Sequence, residues 1–248
     1  MNLRRLVLPA LLMLSMQANA TDIVVSAAAS LTNVFGTVAK AYESKHPGTH
    51  VVLNFAASDV LLQQIANGAP ADVFASADET AMDKAQAQGL INKDSRRDFA
   101  ANELVLIVPT SGKFTPASLS DLTSKNVGKV AIGDPASVPV GRYTKSALEA
   151  AKLWEPVSAK AVLAQNVRQA LDYVARDEVD AGFVFATDAT VAASKVRVAM
   201  RVPTPTPIVY PLAVVAQSKQ PAEAKAFADF VLSPEGQGLL AKAGFHRP

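Results

Sequence analysis

Short apolar runs alternate with amphipathic stretches from residue 23 onward, and that alternation predicts most of the fold. Ile23-Val24-Val25 reads as a strand, Leu31 to Lys45 as a helix stopped by His46-Pro47-Gly48, and His50 to Phe55 as a second strand. A helix from Asp59 to Asn67 ends at Gly68-Ala69-Pro70. Ala71 to Ser76 is a third strand, and Glu79 to Gln88 a helix closed by Gly89. Leu104 to Pro109 is continuously apolar, as a strand buried on both faces should be. Strands separated by helices of this length predict βαβ units and a mainly parallel sheet.

The pattern then repeats. Val130 to Gly133, Ala161-Val162-Leu163, Ala181 to Phe185 and Val196 to Val202 read as strands. Helices are expected from Gly141 to Leu153, from Val167 to Arg176 and from Thr187-Asp188 onward. Pro203, Pro205 and Pro207 mark a stiff linker, after which Ile208 to Val215 reads as a returning strand. Pro221 to Leu232 and a short helix from Ser233-Pro234-Glu235 close the chain. The expected architecture is therefore α/β and two-lobed, with lobe 1 formed by residues 21–109 and 208–248 and lobe 2 by residues 110–207. Two crossings leave a cleft between the lobes, and small ligands in such sheets bind at the carboxyl ends of strands, where helices begin.

The first twenty residues lie outside this pattern. Arg4 and Arg5, an apolar core from Leu6 to Met16 and Ala18-Asn19-Ala20 together read as an export leader cleaved after Ala20. Its apolar run is too short to span a membrane. With no cysteine, the chain has no disulfide and no lipid-anchored cysteine, which fits a soluble periplasmic protein. Removing Arg4 and Arg5 from the 24 basic residues leaves 22, equal to the 22 acidic ones. A neutral chain offers no electrostatic case for binding nucleic acid or a membrane surface.

Four strand-to-helix junctions carry the candidate chemistry: Ala29-Ser30, Ala57-Ser58, Val140-Gly141 and Asn166-Val167. Serine hydroxyls and unpaired N–H groups at helix starts are donors, and none of the four junctions has an acid or base at the junction itself. Such a set suits an unprotonated oxyanion, although serines here also serve as ordinary N-caps. Hydrogen bonds from neutral donors to a charged acceptor are worth roughly 1.5–3 kcal/mol each. Asp59 lies just inside its helix, where the dipole favours it, and is expected to face solvent. Arg142 is expected to pair with an acid or to solvate the lobe rim, and not to touch the anion.

Three segments carry a resemblance: Ala27 to Thr32, Gly68 to Asp78, and Gly133 to Gly141. Together, in this order, they make the chain resemble the periplasmic molybdate-binding proteins of ABC transporters, type II solute-binding proteins, over essentially its whole length after the leader. The resemblance implies that molybdate, with tungstate beside it, is held by Ser30 and Ser58 through hydroxyl and N–H and by the N–H groups of Val140 and Val167. It implies capture and delivery to the membrane subunits of an ABC permease by a monomer, with no cofactor, no direct metal ligand and no chemistry on the cargo. Where that family often supplies a tyrosine hydroxyl, this chain has Phe185, which can wall a pocket but donates nothing; Thr187 or a water could substitute. Another tetrahedral oxyanion, sulfate or phosphate, is the alternative cargo.

An enzyme of the same fold is the remaining alternative. The chain has no Gly-x-Ser-x-Gly elbow, and its three histidines, His46, His50 and His246, form neither a triad base nor a zinc cluster. Tyr42, Tyr143, Tyr173 and Tyr210 include no adjacent pair of phenolate ligands, and Asp78, Asp134 and Asp188 near helix starts are explained as caps.

Overall fold

The computed structural model describes residues 21–248, so the expected leader lies outside the described residues. The chain runs β1 (Thr21–Ala28), α1 (Thr32–Lys45), β2 (Thr49–Ala56), α2 (Ser58–Ala66), β3 (Val73–Ala75), α3 (Glu79–Ala87), β4 (Arg97–Asn102) and β5 (Leu104–Pro109). It continues through β6 (Val130–Gly133), α4 (Pro139–Ala150), α5 (Trp154–Ser158), β7 (Ala161–Ala164), α6 (Val167–Ala175), β8 (Ala181–Phe185), α7 (Ala186–Val191) and β9 (Val196–Val202). The last elements are β10 (Ile208–Val214), α8 (Pro221–Leu232) and α9 (Pro234–Lys242).

Local chemistry accounts for these bounds. Val34, Phe35, Val38, Ala39 and Tyr42 recur at helical spacing and bury one face of α1. Proline opens α4, α8 and α9, where its missing N–H costs nothing. Gly68 and Gly89, at φ of 83° and 67°, end α2 and α3 in a left-handed turn.

Two five-stranded sheets result, in the orders β2-β1-β3-β10-β4 and β7-β6-β8-β5-β9. In the first, β1 runs parallel to β2 and β3, while β10 is antiparallel to β3 and β4. In the second, β6 runs parallel to β7 and β8, and β5 is antiparallel to β8 and β9. Each sheet is the core of an α/β lobe, and each takes one antiparallel strand from next to a crossing.

The first crossing differs from the sequence expectation. The sequence pattern puts β5 in lobe 1, but it pairs with β8 and β9 in the second sheet, so the chain changes lobe at Glu103 between β4 and β5. Continuous apolarity shows that a strand is buried on both faces without saying in which sheet. The strand that does belong to the first sheet here, β4, reads Arg-Asp-Phe-Ala-Ala-Asn and has too few apolar or β-branched residues to stand out. The second crossing spans residues 203–207, between β9 and β10. No described helix is long and apolar enough to cross a membrane.

Candidate functional site

The four junctions singled out from sequence meet at one place. Ser30, Ser58, Val140, Val167 and Phe185 all line a single tight cavity of about 10 Å³ between the lobes. Its remaining wall is alanine, valine and proline, with no charged side chain. Ser58 begins α2, Val140 lies in the first turn of α4 and Val167 begins α6, so their N–H groups have no carbonyl one turn behind them. Ser30 lies in a 3₁₀ turn ahead of α1.

The approach of α4 depends on two glycines. A Cβ on Gly141 would lie 1.9 Å from the Gly133 carbonyl oxygen, and one on Gly133 would lie 2.8 Å from a Val138 methyl. The end of β6 and the start of α4 are therefore in backbone contact, which brings the Val140 N–H to the cavity.

Neither serine caps its helix with its side chain. The residue before α2 is Ala57, the one before α1 is Leu31, and neither helix start has a side-chain cap. The hydroxyls are used differently. Ser58 Oγ accepts a hydrogen bond from the Ala77 N–H at 3.0 Å, leaving its own proton to give. Ser30 Oγ lies 3.1 Å from the hydroxyl of Tyr210 on β10. Both serines are almost fully buried.

Asp59 departs from expectation. It is buried, not solvent-facing, and its carboxylate accepts from Lys84 Nζ at 2.7 Å and from Arg142 Nη2 at 2.6 Å. The dipole argument placed Asp59 at the right helix end, but the guanidinium comes from the other lobe and sequence gave no sign of it. Arg142 Nε also donates to Asp78 Oδ2 at 2.7 Å, so it pairs with acids as expected, and with two of them across the cleft. Burial works against the Arg142 charge, but Asp78 and Asp59 more than offset it and hold the guanidinium above its ordinary range.

A second arginine also crosses the cleft, but to neutral acceptors, and has its acid in its own lobe. Arg168 of α6 donates from Nη1 to Asn33 Oδ1 at 2.7 Å and from Nη2 to the Ser30 carbonyl at 3.3 Å, both in the opposite lobe. Its Nε is 2.5 Å from Asp188 Oδ1. Asp78 caps α3 as expected, and Asp134 caps a turn at Ala136. Asp188 lies inside the first turn of α7, fully buried against Arg168, so it is a counter-ion and not a cap. Burial pushes its carboxyl up to about 6, against the opposing pull of Arg168.

Phe185 is buried on the cavity wall, its ring 5.7 Å from that of Tyr210. Thr187, one substitute donor considered from sequence, accepts from Asn102 Nδ2 at 2.9 Å. Sequence reading missed Tyr210 and Asn102. The available signal was a single polar tip in the apolar run of β10, next to Pro211, where the register against β4 shifts. Among the described residues, no cluster of three or more His, Asp or Glu is placed to hold a metal ion.

A family model described as bacterial extracellular solute-binding protein matches residues 23–246. A Bacillus subtilis chain, provisionally named an ABC transporter substrate-binding lipoprotein, is 39% identical over 89% of this chain and 85% of its own length. The molybdate-binding protein ModA of Escherichia coli is 38% identical over 92% of this chain and 90% of its own. Among solved structures, the periplasmic molybdate-binding protein of Azotobacter vinelandii superposes with a TM-score of 0.81 at 26% identity, covering 91% of this chain and 99% of that one.

Proposed function

We infer that this chain, which belongs to the bacterial extracellular solute-binding protein family, captures molybdate, and tungstate with it, and delivers the anion to an ABC permease. The observation that carries the reading is the donor set: two serine hydroxyls and helix-start N–H groups from both lobes, around a cavity without a charged side chain. Ser30 and Ser58 give hydroxyl and N–H, Val140 and Val167 give N–H, and Phe185 walls the pocket. Five or six charge-assisted hydrogen bonds of roughly 1.5–3 kcal/mol, less the cost of dehydrating the anion, support micromolar to nanomolar binding, about −8 to −12 kcal/mol.

The mechanism is capture and release, with the anion as cargo and no bond made or broken. Neither lobe offers the full shell alone, so anion binding and lobe closure reinforce each other. A protonated phosphate brings a donor to a site that offers donors, leaving both unsatisfied. The working location is the periplasm, reached by a leader cleaved after Ala20, and the working form is a monomer.

Isothermal titration with molybdate, tungstate, sulfate and phosphate tests this. Tight molybdate and tungstate binding is expected, with phosphate at least a hundredfold weaker. Tight sulfate with weak molybdate would reassign the cargo, and no heat with any oxyanion would remove the reading.

A further inference from the structure

The hydrogen bonds behind Ser30 run in one direction. The backbone N–H of Glu103, a donor without ambiguity, gives to Asn102 Oδ1 at 2.9 Å. That contact fixes the Asn102 amide and turns its NH₂ toward Thr187 Oγ1 at 2.9 Å and the Tyr210 oxygen at 3.3 Å. Tyr210 thus already accepts from Asn102, and among the described residues its one other hydrogen-bond partner is Ser30 Oγ at 3.1 Å. The phenol must spend its proton on Ser30. Ser30 Oγ, with that lone pair occupied, has its own proton left for the cavity that it lines.

We propose that Tyr210, held by Asn102, is a positioning residue that fixes Ser30 as a donor to the bound oxyanion. The proposal rests on the oxyanion reading above and deepens it. It also accounts for the tolerance of Phe185. The phenylalanine has no hydroxyl to donate, but the Tyr210 phenol 5.7 Å away, ring to ring, acts through the serine and reaches the anion one bond further back. The arrangement matches that of Ser58, whose oxygen takes the Ala77 N–H. Each hydroxyl is backed by a donor, so neither has to be reoriented when the anion arrives, and preorganised donors lose less on binding.

Tyr210 is suited to the task. It is completely buried, and its ring packs edge-on against Phe99, Phe185 and Phe245. Burial, with the Asp188 charge behind it, pushes the phenol well above its ordinary range, so the proton stays on the oxygen at any pH the protein meets. The relay also begins at Glu103, the residue at which the chain changes lobe, and so ties the orientation of Ser30 to the backbone of the first crossing.

The test is a double-mutant cycle read by isothermal titration with sodium molybdate, using Tyr210→Phe, Ser30→Ala and the pair. Phenylalanine keeps the ring and its packing and removes only the hydroxyl. Tyr210→Phe is expected to bind about tenfold more weakly. The double variant is expected to bind no more weakly than Ser30→Ala alone, because without the serine hydroxyl the relay has nothing to orient. Wild-type affinity in Tyr210→Phe overturns the proposal. So does a double variant that loses the full product of the two single losses, since a merely structural tyrosine would act independently of Ser30. Silence of the wild-type protein toward every oxyanion would instead overturn the functional reading, and this proposal with it.

Discussion

The cavity and its rim join the same two lobes by opposite means. In the cavity, Ser30, Ser58, Val140 and Val167 present neutral donors that have no acceptor of their own. Around it, starting one or two residues along α2, α4 and α6, the rim is charged and already paired: Arg142 with Asp59 and Asp78 of the other lobe, Arg168 with Asp188 of its own. A cavity arginine would attract any anion and hold it by charge alone. Neutral donors hold only an acceptor that meets them all, which favours a dehydrated anion without a proton. The rim charges cancel one another, and it is the Arg142 pairs, with the Arg168 bonds to Asn33 and the Ser30 carbonyl, that bear on whether the lobes meet. On the proposed function, recognition falls to the cavity and closure to the rim.

Gly141→Ala strikes at both regions and should have the largest effect. Its Cβ would overlap the Gly133 carbonyl, forcing α4 off the end of β6 and taking the Val140 N–H and Arg142 with it. A loss of about 3 kcal/mol or more of stability is expected, with no measurable molybdate heat. Near-normal binding would show that α4 does not position the site. Next is Arg142→Ala, which leaves Asp78 without its cross-cleft partner and Asp59 with Lys84 alone. Stranding buried carboxylates costs roughly 3 kcal/mol, near a hundredfold. Separated lobes can hydrate those carboxylates, so the loss should fall on molybdate affinity and off-rate while the unliganded melting temperature moves little. If the melting temperature falls and affinity holds, the rim supports the fold and not closure. Ser58→Ala removes one hydroxyl donor from the cavity and should cost about 2 kcal/mol, near thirtyfold, in affinity. That loss should fall on molybdate and tungstate alike, and an unchanged affinity would remove Ser58 from the shell.

The two regions also differed in how far the sequence revealed them. The cavity was readable because its residues lie at or just ahead of helix starts, and helix starts follow from local pattern: a strand, a small residue, then a helical period. The Gly133 to Gly141 segment could be recognised for the same reason, since its glycines answer a contact nine residues wide. The rim was not readable. Arg142 meets Asp59 across 83 residues and Asp78 across 64, and no spacing rule connects them. Asp59 was placed on the right helix and given the wrong environment, because the residue that buries it belongs to the other lobe. The sheet membership of β5 failed similarly, since pairing partners are non-local while burial is local. Tyr210 has no neighbouring tyrosine to mark it in the sequence, and its partners are a serine 180 residues away and an asparagine 108 away.

Asp188→Asn separates the rim from the cavity most gently. The carboxyl of Asp188 is raised from 3.8 to about 6, first by burial, and Arg168 only partly opposes this. A carboxyl raised in the folded state binds its proton more tightly there than in the unfolded chain. Its contribution to stability is therefore present in full below about pH 4 and is lost as pH rises through 6. Asparagine keeps the shape and removes the titration, so the variant should lack that decline. The size of the shift sets an upper limit near 3 kcal/mol. Arg168, left without its counter-ion, offsets much of the gain, leaving on the order of 1 kcal/mol at pH 7. Melting curves of both proteins from pH 4 to 7 would show the wild-type protein losing ground to the variant as pH rises. The opposite slope would mean that Arg168 outweighs burial and holds Asp188 charged throughout. Molybdate affinity should change by less than threefold, since Asp188 is not on the cavity wall; a larger change would mean that the Arg168 contact to the Ser30 carbonyl carries rim electrostatics into the cavity.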